Sequence, residues 1–156
     1  GHLVFTTVHA NNVFDVLGRF THMGVDVYSF AAALNGVVAQ RLVRLNCPHC
    51  SVPVTPTEAD LQTSGLSAVM VAEFKFLVGR GCGQCRGTGF KGRTAIAEIM
   101  VLTDELREMI VARSPIRALK DAAKRSGTRY LREAAVALVA EGRTSLEEIN
   151  RVTFVA

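Results

Sequence analysis

The sequence predicts a mixed α/β chain that carries a four-cysteine subdomain and ends in a helical part. The apolar, β-branched run from Leu3 to Val8 is typical of a buried strand. The four cysteines form two Cys-x-x-Cys pairs, at 47–50 and 82–85. After Val101 the sequence changes to short segments that each open with a capping residue. These three observations predict an α/β piece, a cysteine-rich insert and a helical C-terminal subdomain.

The first part of the chain predicts a strand, two helices and a second strand. Residues 3–8 form the buried strand, and residues 11–23 form a helix that begins at an asparagine N-cap. Gly24 supplies its stop signal. A second helix, rich in alanine, is predicted over 28–41 because most of its faces are apolar. Residues 42–45 then predict a short strand that leads to the first cysteine pair.

The middle of the chain mixes breakers with short regular segments. Two prolines exclude a regular helix from residues 51–57. Thr57–Asp60 resembles a capping box for a short helix, and a further helix is predicted over 67–77. Six glycines between 79 and 92 predict a loop that turns tightly beside the second cysteine pair. Residues 93–100 alternate enough to predict a strand.

The C-terminal part predicts four short helices, each with its own start signal. Thr103 caps the first, 104–113, whose acidic first turn favours the helix dipole. Ser114 with proline at the next position opens the second. The third covers 131–141, and two overlapping capping boxes at Thr144–Ser145 open the last.

The two cysteine pairs predict one tetrahedral metal site made of Cys47, Cys50, Cys82 and Cys85. Zn²⁺ prefers four soft ligands, and the two-residue gap lets both sulfurs of a pair reach one ion. Four protein ligands leave no position for water or substrate, so we expect a structural zinc. Two disulfides are the alternative, which we favour less because 156 residues with 49% hydrophobic composition can form a core.

Charge and composition narrow the function classes. The formal net charge of +4, which four thiolates and one Zn²⁺ would reduce to about +2, is weak evidence for nucleic acid or an acidic membrane surface. Six basic residues lie near the cysteines in sequence: Arg41, Arg44, Arg80, Arg86, Lys91 and Arg93. They could form a solvated face or contact phosphates or acidic partners. Between Arg80 and Arg93 the only aromatic residue is Phe90, which is too little for a base-stacking surface, so nucleic acid is not expected. The glycine run 87–92 fits GxGxxG but does not join a strand to a helix, so no dinucleotide site is predicted.

Two histidines flank the first predicted strand. His9 follows its C-terminal end, and ligands bind at that edge in open α/β sheets. His2 lies at the opposite end. We therefore treat His9, and less strongly His2, as candidate functional residues.

Several segments together resemble the secretion and pilus-assembly ATPases of the GspE/PulE/PilB group, in the type II secretion and type IV pilus superfamily. The first eleven residues are similar to the histidine box of that family, and the remaining matches follow in order along the chain. The matching segments are GHLVFTTVHAN (1–11), HMGV (22–25), QRLVR (40–44), CPHC (47–50), CGQC (82–85), CRGTGFKGRT (85–94) and LEEINRVT (146–153).

The resemblance implies a fold and a function. It implies that residues 1–46 are the C-terminal part of a RecA-like nucleotide-binding domain, 47–92 a tetracysteine zinc subdomain, and 93–156 a return strand with a helical subdomain. It implies a hexameric cytoplasmic motor that uses ATP and Mg²⁺. The motor would lie peripheral to the inner membrane through platform and cytoplasmic-domain proteins. His9 would lie near the γ-phosphate, with His2 supporting the same box.

The family's Walker A loop, Asp box and Walker B carboxylate do not occur in this sequence and should precede Gly1. We therefore expect a C-terminal fragment that does not hydrolyse ATP by itself, from a motor of type II secretion rather than of type IV pili. Three alternatives stay open: a type IV pilus motor fragment, a zinc-ribbon module that binds nucleic acid, and a non-catalytic adaptor.

Overall fold

The computed structural model describes residues 2–153, which divide into two compact units. The first unit contains the chain up to Ala39 together with Glu98–Arg129. The second contains Gln40–Ala97 and the chain from Tyr130 onward. Both units are therefore built from segments that are distant in sequence.

The described residues contain seven helices, four strands and one 3-10 turn. In chain order they are α1 (Val13–His22), α2 (Val27–Ala33), β1 (Gly36–Asn46), β2 (Ser51–Pro53), α3 (Glu58–Thr63), β3 (Leu77–Gly79), the 3-10 turn Gly83–Cys85, β4 (Phe90–Val101), α4 (Asp104–Val111), α5 (Ile116–Arg125), α6 (Leu131–Ala140) and α7 (Leu146–Val152). None of these helices is both long and apolar enough to cross a membrane.

The strands form two separate two-stranded sheets. β1 pairs with β4, and the boundary between the two units falls inside both of these strands. β2 pairs antiparallel with β3, with Val52 opposite Val78. The short β2–β3 ribbon lies in the second unit, where it connects the two cysteine pairs along the chain.

The first unit packs helix α1 by its apolar face, with Val13, Phe14, Val16 and Leu17 buried. Asn12 accepts hydrogen bonds from the N–H groups of Phe14 and Asp15, and buried Glu98 of β4 accepts one from Val13 at 2.7 Å. Together they satisfy the first N–H groups of α1, which have no partner within the helix.

The second unit buries residues from both of its segments. Val43 of β1, Val139 of α6 and Ile149 of α7 are each fully buried. A further cluster contains Leu61, Leu66 and Val71, against which half-buried side chains of α6 and α7 also pack. The core of this unit therefore joins the cysteine-bearing segment to the last two helices.

The buried strand predicted over 3–8 is wrong for this structure. These residues have no regular structure, and Leu3, Val4 and Phe5 are 70%, 76% and 89% exposed. A strand needs a neighbouring strand to pair its backbone groups, and the two described sheets do not include this run.

Two predicted helices are also wrong in part or in whole. The helix over 28–41 ends at Ala33, and β1 begins at Gly36 because the β-branched residues that follow pair with β4. The helix over 67–77 is absent. Its first part forms turns with bonds between residues three apart, and its end becomes β3 paired with β2. In both cases long-range pairing overrides a local helical pattern.

The predicted cap signals are mostly confirmed. Asn12 caps α1, and Gly24 ends it at φ +74° with the two backbone bonds of a Schellman motif. Thr57, Thr103 and Ser145 cap their helices through side-chain bonds, as local sequence indicates. At α5 the N-cap is Pro115 rather than Ser114, a displacement of one residue.

Candidate metal centre

The four cysteines lie together and could hold one metal ion. The sulfurs of Cys47, Cys50, Cys82 and Cys85 all lie within 4.8 Å of one another. The Sγ atoms of Cys47 and Cys82 are 3.9 Å apart, those of Cys50 and Cys85 3.8 Å, and those of Cys82 and Cys85 3.7 Å. A tetrahedral ion with metal–sulfur bonds of about 2.3 Å would separate its ligands by about 3.8 Å. All four thiols are free, so the disulfide alternative finds no support here.

The first pair is held by a turn that follows β1. The carbonyl of Cys47 accepts bonds from the N–H of Cys50 and from both the N–H and the hydroxyl of Ser51. The N–H of Cys47 donates to the carbonyl of Gly89 at 2.9 Å, which ties the first pair to the second loop. These hydrogen bonds therefore hold the backbone that positions the sulfurs of Cys47 and Cys50.

The second pair lies on the 3-10 turn. The N–H groups of Cys82 and Gly89 donate to the sulfur of Cys85 at 3.1 and 3.3 Å. Arg86 then adopts the left-handed conformation at φ +52°, followed by Gly87 at φ +78°. Backbone donors that converge on a sulfur favour the thiolate, which is the form that binds metal.

The electrostatics of the pair follow from these donors. Burial raises the pKa of Cys85, but hydrogen bonds from the backbone N–H groups of Cys82 and Gly89 and from the neighbouring sulfurs together lower the pKa to about 6. Burial, with added effects from the neighbouring sulfurs, raises the pKa of Cys50 to about 12. A cation among the four sulfurs would favour all four thiolates and so offset the cost of burying neighbouring negative charges.

Glycine is required where two backbones meet behind the cluster. A Cβ on Gly79 would lie 1.9 Å from the carbonyl oxygen of Gly89, and a Cβ on Gly89 would lie 2.3 Å from that of Gly79. A Cβ on Gly81 would lie 2.6 Å from the oxygen of Gly87. The prediction that these glycines permit a tight turn beside the cysteines is confirmed.

Asn46 connects the cysteine cluster to the C-terminal helices. Its side-chain N–H₂ group donates to the carbonyls of Leu77 and Gly142 at 2.9 and 3.1 Å. Its backbone N–H donates to the carbonyl of Arg143 at 2.8 Å. Because Asn46 directly precedes Cys47, the first cysteine pair is tied to the loop between α6 and α7.

Glu148 forms two close ion pairs in the second unit. Its side chain is fully buried and accepts bonds from Arg44 and Arg151, including Arg44 Nη2 at 2.6 Å and Arg151 Nη2 at 2.7 Å. Burial raises the pKa of Glu148, but the hydrogen bonds from Arg151 and Arg44 dominate and lower it to about 2. Arg44 also lies over the ring of Phe90, 4.1 Å from its centroid.

Sequence reasoning missed the roles of Asn46 and Glu148. The sequence predicts a capping box between Ser145 and Glu148. The N–H of Glu148 does donate to the Ser145 hydroxyl, but the Glu148 carboxylate accepts from Arg44 and Arg151. The only available signal for both residues was a polar side chain within a mainly apolar pattern. That signal does not identify a partner about 100 residues away, as the bond between Arg44 and Glu148 requires.

The structure places the other candidate residues outside this cluster. His2 and His9 are exposed in the irregular segment before α1. Of the basic residues, Arg44 is committed to Glu148, whereas Arg80, Arg86, Lys91 and Arg93 are exposed on the second unit. The described residues thus bring the four cysteines together but not the two histidines with them.

Comparison with known proteins places these features in a family. Residues 1–151 match the family described as "Type II/IV secretion system protein". A type IV pilus assembly ATPase, PilB of Thermus thermophilus, is 42% identical over 149 residues, which are 96% of this chain and 17% of that protein.

Two relatives from Pseudomonas aeruginosa are named for type II secretion. The type II secretion system protein HxcR is 38% identical and the type II secretion system protein E is 36% identical, each over 98% of this chain. The chain covers 29% and 30% of these two relatives, less than a third of each. With the match along almost its whole length, the chain belongs to the type II/IV secretion system protein family.

Proposed function

We propose that this chain is part of an ATPase motor that powers pseudopilus assembly in type II secretion. The observation that carries the proposal is the family match over residues 1–151, with relatives named as secretion proteins and pilus assembly ATPases. In this proposal the motor is a cytoplasmic hexamer. It acts on an inner-membrane platform protein and lies at the membrane through its partners.

The metal in this proposal is a structural zinc ion held by Cys47, Cys50, Cys82 and Cys85. Zinc supplies a fixed tetrahedral link between two loops and leaves no open coordination position. The sulfur spacing of 3.7–3.9 Å and the N–H groups directed at Cys85 support it. The ion would stabilise the fold and take no part in hydrolysis.

The nucleotide-binding role is assigned to residues 1–46, as the C-terminal part of a RecA-like domain, with zinc subdomain 47–92 and helical subdomain 93–156. His9, supported by His2, would lie near the γ-phosphate of ATP, where charge develops during phosphoryl transfer. Hydrolysis would need the Walker A and B groups, and we propose that a longer protein supplies them together with Mg²⁺.

This function is tested by His9→Ala in that longer protein, where we expect ATPase activity to fall while zinc content and thermal unfolding stay unchanged. His22→Ala is the matched control, because His22 is an exposed helix residue whose ring bonds the Gly18 carbonyl of its own helix. An enzyme that keeps full activity after His9→Ala would contradict the role of His9. No ATPase activity in the unmodified longer protein would contradict the motor.

A type IV pilus assembly motor is the second candidate. The identity of 42% to the PilB of Thermus thermophilus favours it, whereas 38% to HxcR favours secretion. Complementation decides between them, because the motor should restore either secretion or piliation to a strain that lacks the corresponding ATPase.

A further inference from the structure

The segments around the cysteines carry an unbalanced positive charge. Residues 40–57 and 74–97 contain seven lysines and arginines and no aspartate or glutamate. Four thiolates with one divalent ion would contribute about −2, which leaves a clear excess of positive charge. Within the chain Glu148 balances Arg44, which leaves the exposed cations of these segments to be considered.

Four of these cations are exposed, and we call Arg80, Arg86, Lys91 and Arg93 the knuckle cations. Among residues 2–153 none of the four forms an ion pair with an acid. Arg44 does not belong to the group, because Glu148 holds it. The knuckle cations are therefore available for an external partner.

Backbone contacts gather the knuckle cations around the second cysteine pair. Arg80 precedes Gly81, whose Cα lies so close to Gly87 that an added Cβ would be 2.6 Å from the Gly87 oxygen. Arg86 directly precedes Gly87. The Cα atoms of Arg80 and Arg86 therefore lie next to a point where two backbone segments are in contact.

The other two cations reach the same turn from β4. Lys91 Nζ lies 3.4 Å from the side-chain oxygen of Gln84, which belongs to the 3-10 turn. Arg93 is two residues further along β4 and so faces the same side as Lys91. The four charges therefore form one patch.

Arg86 holds its place in the patch at a conformational cost. It lies at φ +52°, where a glycine would be unstrained. This conformation ends the 3-10 turn Gly83–Cys85, for which Arg86 is the C-cap residue. The side chain of Arg86 is exposed, so the turn presents its charge to solvent.

We propose that the knuckle cations bind an acidic, flexible segment of a protein partner. Three of the four are arginines, whose planar fork matches a carboxylate through two hydrogen bonds. The aromatic residues of 74–97 are half-buried, so no exposed ring is present to stack a nucleotide base. No large apolar side chain among residues 80–93 is exposed for insertion into lipid. The proposal goes beyond the motor function and does not depend on ATP hydrolysis.

The test measures binding of a fluorescein-labelled peptide of alternating glutamate and glycine to the 156-residue chain, by fluorescence anisotropy. We expect Arg86→Glu with Arg93→Glu to weaken binding about tenfold or more. The matched control is Arg19→Glu with Arg117→Glu, which changes net charge equally at two exposed sites of the first unit and should leave binding within about twofold. Thermal unfolding verifies that each variant folds.

A second pair of variants separates binding from folding. Arg86→Gly and Arg113→Gly both relieve a left-handed arginine, so both should raise the melting temperature. Only Arg86→Gly should weaken peptide binding. Three results would overturn the proposal: no binding of the peptide, equal loss in both charge-reversal pairs, or tighter binding to DNA or to anionic vesicles through the same residues.

Discussion

At the scale of single residues, the close approach of Gly79 and Gly89 prevents any side chain at these two positions beside the metal centre. Gly79→Ala places a methyl group 1.9 Å from a backbone oxygen that cannot move without displacing the second cysteine pair. We expect a loss of about 2 kcal/mol or more in the free energy of unfolding, together with weaker metal binding. Urea unfolding and chelator competition measure the two effects.

Gly83→Ala is the control for this change. Gly83 belongs to the 3-10 turn between the second pair of cysteines, and a Cβ there meets no atom within 4 Å. Its stability should change by less than about 1 kcal/mol. Equal destabilisation by both variants would show that the turn, rather than the contact between the two backbones, limits substitution.

Glu148 gives a second prediction at this scale. Glu148→Gln removes a buried charge shared by Arg44 and Arg151, and we expect a loss of about 3 kcal/mol in the free energy of unfolding. The pKa of about 2 in the folded chain lies below the ordinary value of 4.5. The stabilisation from this carboxylate is thus present above about pH 4.5 and is lost as the pH falls towards 2.

Unfolding of both proteins as a function of pH tests this, with Glu147→Gln as the control. Glu147 is the exposed neighbour of Glu148 in α7, and its removal should cost little. The loss of stability between pH 5 and pH 2 should become smaller in Glu148→Gln and stay unchanged in Glu147→Gln. A wild-type chain whose stability is constant from pH 5 to pH 2 would contradict the assignment.

At the scale of elements, the N-terminus of α1 depends on Asn12. Asn12→Ala removes the acceptor for two backbone N–H groups, and we expect a loss of about 1 kcal/mol in the free energy of unfolding. Asn12→Ser should restore most of it, because serine also accepts from these groups. If the serine variant is as unstable as the alanine variant, capping is not the role of Asn12. Thermal unfolding measures both.

Which elements could be predicted depends on where their determinants lie. Asn12, Thr103 and Ser145 act within one helical turn, so sequence alone locates the starts of α1, α4 and α7. The change from helix to strand after Ala33 depends on pairing with β4, about 60 residues away, and was not predicted. The cysteine cluster was predicted because metal chemistry restricts which distant residues can meet.

At the scale of the whole molecule, the cysteine cluster and the last two helices belong to one compact unit. Elemental analysis should give one zinc per chain, and a chelator should release it. Hydrogen exchange after release should show lost protection in α6 and α7, because Asn46 and the backbone N–H of Lys75 join the cysteine segment to the end of α6 and the loop after it. Protection in α4 and α5 of the first unit should persist. Loss confined to residues 47–92 would mean that the zinc subdomain unfolds independently of these helices.

The interleaved units also constrain how the chain is made. Residues 40–97 leave the ribosome well before residues 130–153, yet their core and the Arg44–Glu148 contact need both segments. Loop closure over about 100 residues carries an entropic cost that must precede the contact. During synthesis the cysteine segment can bind its metal early. Its apolar residues stay exposed until α6 and α7 have been made. The second unit can therefore close only after residues 130–153 have been made, and a truncation before them removes the part that completes it.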